Sequence, residues 1–158
     1  MRAMRVRGGW KATVGLLSLA ACGAGDLPGQ RFSVTVAGVE DTCNDPMQQY
    51  AETFEYRVVT EGAQVSIFIG DALLAAGSLV GCDLTYSSPQ FTDERGDGIY
   101  VRWSLVGQAV ADIAGGGCDA GDGWVGEESI QVIESTDPDV PRGCSYQSET
   151  SGRPISEE

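Results

Sequence analysis

Five cysteines, 23 aspartates and glutamates and no histidine set the chemistry open to this 158-residue chain. The missing imidazole removes the Ser/His/Asp triad, the Cys/His pair and every histidine metal ligand in one step. Cys43, Cys82, Cys118 and Cys144 lie 39, 36 and 26 residues apart and include no CxxC pair, so the usual cysteine–histidine zinc sites are not expected. An even set of cysteines in an exported protein points to disulfide bonds instead. Four cysteines leave three connectivities open. The one expected joins Cys43 to Cys82, tying the segment after the opening strand to the middle of the sheet, and Cys118 to Cys144, clamping the 115–126 loop to the C-terminal segment.

Carboxylates are the remaining chemical resource. Two of them can serve as the acid and base of a glycosidase, but 23 acids make proximity common and no spacing singles out a pair. Asp93-Glu94-Arg95-Gly96-Asp97-Gly98 and Asp119-Ala120-Gly121-Asp122-Gly123 mix carboxylates with glycines as oxygen-ligated calcium loops do, yet neither has the spacing of an EF-hand. Both are read as solvated turns. No glycine-rich phosphate loop follows a strand and opens a helix. No catalytic residue, metal site or cofactor is assigned on these grounds. Trp124, in the second loop, is the ring on which a sugar could stack, whereas Trp103 falls on an apolar strand face and is expected in the core.

The fifth cysteine has a different setting. Arg2, Arg5, Arg7 and Lys11 precede an apolar run, Ala12 to Ala21, that ends in Leu19-Ala20-Ala21-Cys22. Its 10 residues would rise only about 15 Å as a helix, half of a roughly 30 Å hydrocarbon core, so the run reads as an export leader and not as a span. Leu19-Ala20-Ala21-Cys22 resembles the lipobox of bacterial lipoproteins. The resemblance implies that the Cys22 thiol carries a diacylglycerol with acyl chains such as palmitate, that cleavage falls just before Cys22, and that residues 1–21 are a lipoprotein signal peptide. It also implies a place in the bacterial cell envelope, lipid-anchored on the exported side of a membrane. Gly23 after the cysteine resembles lipoproteins passed on to the outer membrane in some diderm bacteria. Residues 22–30 are then the lipidated cysteine and a short polar tether, at most about 28 Å long when extended.

Loss of the leader takes four of the ten bases and none of the acids. That leaves 137 residues with a formal charge of −17, all six remaining bases being arginine. Such a surface repels phosphate backbones and anionic headgroups, so nucleic acid is not an expected partner and the acyl chains must hold the protein at the bilayer. The expected partners are the membrane, through the lipid, and an envelope protein or glycan.

Downstream of the tether the hydrophobic period is two. Phe32/Val34/Val36, Phe54/Tyr56/Val58, Val65/Ile67/Ile69, Val80/Cys82/Leu84/Tyr86, Ile99/Val101/Trp103/Leu105 and Ile130/Val132 each alternate with polar or small residues, as half-buried strands do. Gly107 marks a bulge before a further short strand at 108–113. Glu61-Gly62 and Gly70-Asp71 supply turns, 87–98 and 115–126 read as longer loops, and Asp45-Pro46-Met47-Gln48 opens a helix of two turns at most. The β-domain is expected over 31–147, followed by a frayed polar tail over 148–158. About seven short strands with glycine-rich turns predict an all-β fold, an antiparallel β-sandwich stapled by disulfides, with a partly closed β-barrel as the alternative. The function expected of such a domain is that of a non-catalytic binding or surface-structural module of the envelope. The alternative is an exported carbohydrate hydrolase working with two carboxylates.

Overall fold

Alternation of apolar and polar residues turns one face of each strand toward a common interior, and in the computed structural model eight strands do so. The structure describes residues 29–45, 51–113, 117–118 and 123–156. The strands are β1 (Gln30–Asp41), β2 (Ala51–Glu61), β3 (Gln64–Ile69), β4 (Ala72–Val80), β5 (Asp83–Gly96), β6 (Ile99–Ala111), β7 (Trp124–Ser135) and β8 (Ser145–Pro154). Each pairs antiparallel with the next, and β8 returns to pair with β1 from Phe32↔Pro154 to Asp41↔Tyr146, which closes the sheet into a barrel. The expected sandwich gives way to the barrel alternative. The residues that close it, Ser148 to Pro154, had the look of a polar tail because β8 turns small polar residues inward: Ser148 and Thr150 are both buried.

Hairpin turns fix the register. Glu61↔Gln64, Ile69↔Ala72, Val80↔Asp83 and Gly96↔Ile99 each bracket a two-residue loop. Gly62, Gly70 and Gly81 lead the first three with positive φ, as type II′ turns require, and Asp97-Gly98 has positive φ at both positions, the type I′ arrangement. Two expectations change here. The run 80–86 breaks at Gly81-Cys82 into the end of β4 and the start of β5, and most of 87–98, expected as a loop, is the second half of β5. The register shift between Ser88 and Phe91 spans Pro89, which has no N–H to give to the ladder. Gly107 makes no bulge; it sits in regular pairing between Tyr86 and Glu128. Of the expected short helix only Asp45 is among the described residues.

Eight strands enclose a space just wide enough for side chains to fill. Phe32, Val34, Tyr56, Ile67, Tyr86 and Trp124 pack one half of it, and Val101, Trp103, Val132, Val140 and Tyr146 the other. Trp103 is in the core, as expected. Trp124 is not a sugar platform: it opens β7, is fully buried, and its ring centroid lies 5.7 Å from those of Phe32 and Tyr56. The outer wall carries cross-strand ion pairs such as Arg31–Glu55 and Arg102–Glu134. This polarity, apolar within and charged without, is the reverse of a membrane-spanning barrel, whose outer band is apolar.

Both disulfides differ from the expected pairing. Cys43 bonds to Cys144 and Cys82 to Cys118, with Cα separations of 4.9 and 5.9 Å. Barrel closure is the reason. Cys43 follows β1 and Cys144 precedes β8, and the β1–β8 ladder continues to their doorstep through Thr42 N–H donating to Ser145 O at 2.9 Å. Cys82 sits in the β4–β5 turn at the opposite end, where the Ala111 N–H at the end of β6 donates to Cys82 O at 3.0 Å. The chain enters the barrel at that same end, beside its exit: Ile155 N–H donates to Arg31 O at 2.8 Å.

Candidate functional site

Tyr86 on β5, Gly107 on β6 and Glu128 on β7 stand side by side in register. Because Gly107 has no side chain, the Tyr86 ring lies over it; a Cβ there would fall 2.2 Å from the ring carbon Cζ. Tyr86 thereby reaches two strands across and donates its hydroxyl to Glu128 Oε1 at 2.7 Å, while Tyr56 donates to the same oxygen at 3.1 Å. Glu128 is 4 % exposed. Burial raises its pKa against the opposing pull of the two hydroxyl donors, and burial followed by the neighbouring carboxylate raises those of Tyr56 and Tyr86. Beside them Trp124 Nε1 donates to Thr150 Oγ1 at 3.1 Å. The group is a satisfied polar centre in an aromatic core, with both phenols committed to the carboxyl. The sequence reading passed over Glu128, although its place in the alternation Trp124/Gly126/Glu128/Ile130/Val132 marks it as inward-facing. Gly107→Ala should push the Tyr86 ring off its seat and cost about 1–3 kcal/mol in denaturant unfolding, the range for overpacking a core.

A second polar cluster absorbs part of the first acidic loop. Arg95 is bidentate to Asp45, through Nη1 at 3.0 Å and Nη2 at 2.5 Å, and also reaches Asp137 and Asp93 at 3.0 Å each. The side chains of Arg95 and Asp45 are 5 % and 1 % exposed. Asp93 is therefore not the free carboxylate of a solvated turn: the cluster fastens the segment after β1 and the β7–β8 connection to β5. In the second acidic loop, 119–122 lies outside the described residues, as do Cys22 and the leader.

Among the described residues, the outer wall of β5 to β8 forms an open concave surface. Its outward residues form cross-strand rows: Asp83, Val110, Val125 and Ser151 in one; Thr85, Gln108, Glu127 and Glu149 in the next; Ser87, Val106, Ser129 and Gln147 in the third. Two adjoining concavities, of about 690 and 650 Å³, share Thr85, Gln108, Glu127 and Glu149 in their lining. Glu127 and Glu149 are directly opposite in the β7–β8 ladder, and the Gln108 side-chain amide donates to Glu127. Val106 is 62 % and Val125 52 % exposed. These three rows hold three carboxylates and no base. Because Gly107 pairs regularly, the alternation of β6 runs unbroken through it and turns Val106, Gln108 and Val110 outward, and the strand order brings them beside Glu127 and Glu149.

No protein-family model, no curated protein and no solved structure matches the chain, so its functional reading rests on this geometry.

Proposed function

We propose that this chain is a lipid-anchored lipoprotein of the bacterial cell envelope whose barrel is a non-catalytic binding module, with Cys22 as the lipid site and the outer wall of β5 to β8 as the binding surface. The observation that supports binding over catalysis is the polarity of the barrel. Its interior is packed with aromatic side chains around Glu128, whereas its outer wall keeps exposed valines and carboxylates on a concave face. The membrane half of the reading rests on residues 19–22 and on the charged wall, which favours attachment by acyl chains over insertion of the barrel. Two or three chains, at about 0.8 kcal/mol per buried methylene, hold stably where one is marginal. The tether joins at the start of β1, which turns the end with the Cys82–Cys118 bond toward the bilayer and leaves the Cys43–Cys144 end distal.

Cys22→Ala is expected to move the protein from the membrane fraction to the soluble or unprocessed fraction and to abolish incorporation of labelled palmitate. Wild-type fractionation and labelling in that variant would refute the lipid site. A carbohydrate hydrolase is the second reading, favoured by one observation, the facing carboxylates Glu127 and Glu149 on a concave wall. Hydrolysis by such a pair requires a sugar ring held between acid and base, and turnover of a glycan by the purified protein, lost in Glu127→Gln, would establish it.

A further inference from the structure

We propose that the outer wall of β5 to β8 docks an extended basic segment of a partner protein, its arginine or lysine side chains on the Glu127–Glu149 pair and its apolar side chains on Val106, Val110 and Val125. This rests on the binding-module reading above and names the partner's chemistry.

Charge supplies the first argument. Like charges directly opposite in a ladder destabilise a sheet, and Glu127 faces Glu149 with Asp83 on the same wall. Four arginines are engaged elsewhere: Arg31 with Glu55, Arg95 in its buried cluster, Arg102 with Glu134, and Arg57 over the Phe68 ring at 4.3 Å. Arg142 lies in the β7–β8 connection, and Arg153, on the outward face of β8, stands beyond Ser151 outside the three rows. A guanidinium seated between the two carboxylates gains attraction to each and cancels their repulsion, an arrangement its planar fork suits.

Spacing supplies the second. Along β6 the outward positions are Val106, Gln108 and Val110, and along β7 they are Val125, Glu127 and Ser129. An apolar site therefore lies one step along the strands from the carboxylate row on either side. An extended chain presents the side chains of one face at every second residue, about 6.6–6.8 Å apart, the same repeat. A segment with apolar, basic and apolar residues at alternate positions thus matches the wall step for step. A second copy of this chain does not, since it would bring the same carboxylates against each other.

The test uses the full chain and the peptide Val-Ser-Arg-Ser-Val-Ser-Arg-Ser-Val, titrated by fluorescence anisotropy, with counterparts carrying Glu for Arg or Ser for Val. Binding of the Val/Arg peptide is expected to weaken as salt rises and to fall about tenfold in Glu127→Gln with Glu149→Gln, the loss of both charge contacts. It should stay unchanged in Glu61→Gln with Asp71→Asn, which removes the same charge at the β2–β3 and β3–β4 hairpins, away from this wall. The Glu127→Gln, Glu149→Gln protein should fold at least as stably as wild type, because a repulsion has been removed. Equal loss in both double variants, equal binding of the Glu or Ser counterparts, or absence of binding at low salt would overturn the proposal. So would a concentration-dependent dimer abolished by Val106→Asp, which would assign the wall to self-association. None of these outcomes alters the membrane fractionation of Cys22→Ala, so failure of the partner and failure of the lipid anchor are read separately.

Discussion

Replacing Cys43 and Cys144 together by serine is expected to cost the barrel about 4–5 kcal/mol, because the bond closes a 101-residue loop in the unfolded chain. Denaturant unfolding under non-reducing conditions measures it. The second bond closes 36 residues, and Cys82→Ser with Cys118→Ser should cost about 3.5–4 kcal/mol by the same loop-entropy argument. Against a net stability of roughly 5–15 kcal/mol for a domain of this size, the first loss alone removes about a quarter of it or more. The structural side agrees with the entropic one. Cys43 and Cys144 hold the outer ends of β1 and β8, the ladder that closes the barrel and the one whose strands are farthest apart in sequence. A non-reducing peptide map should recover Cys43 linked to Cys144 and Cys82 linked to Cys118. Recovery of Cys43 with Cys82 would contradict the closure geometry, since those residues sit at opposite ends of the barrel.

The strands themselves were legible from period two wherever the inward residues are large, as at Phe32/Val34, Tyr56/Val58 and Val101/Trp103/Leu105. Legibility fails where the inward residues are small or polar. β4 presents Ala75 and Gly77 to the interior and β8 presents Ser148, Thr150 and Gly152, so neither shows a hydrophobic stripe, and without β8 a closed barrel cannot be told from a sandwich. Small residues there have a physical reason. A Cβ on Gly77 would lie 1.8 Å from Thr85 O and one on Gly152 2.8 Å from Ser33 O, so the strands approach too closely for a side chain at these two positions. The disulfide pairing failed with the topology, because it depends on which strand ends meet. The outer wall was not legible: the bulge expected at Gly107 broke the alternation through Val106, Gln108 and Val110, and the Glu127–Glu149 pair is a product of the β7–β8 register, which no local pattern encodes.

Glu128→Leu should destabilise the protein by about 2–6 kcal/mol, because it leaves two buried hydroxyls, those of Tyr56 and Tyr86, without their acceptor at about 1–3 kcal/mol each. The diagnostic result is recovery. Tyr56→Phe and Tyr86→Phe added to Glu128→Leu remove the stranded donors as well, and the triple variant should be markedly more stable than Glu128→Leu alone. If it is not, the loss comes from misfitting leucine and not from the hydrogen bonds. Glu128→Gln isolates the charge. Burial holds the Glu128 pKa above the ordinary 4.5, so the native state keeps that proton more tightly than the unfolded chain does. Its stabilising contribution is complete below the unfolded pKa and is lost as pH rises through the folded one. Wild type minus Glu128→Gln should therefore become steadily less favourable as pH rises above about 4.5 and then level off. Glu55 runs the opposite way, its pKa lowered by the hydrogen bond from Arg31, and it cancels in the subtraction because both proteins carry it. A flat difference across that range would mean that the carboxyl at position 128 titrates as an exposed glutamate does, and the tyrosine-capped core centre would have to be abandoned.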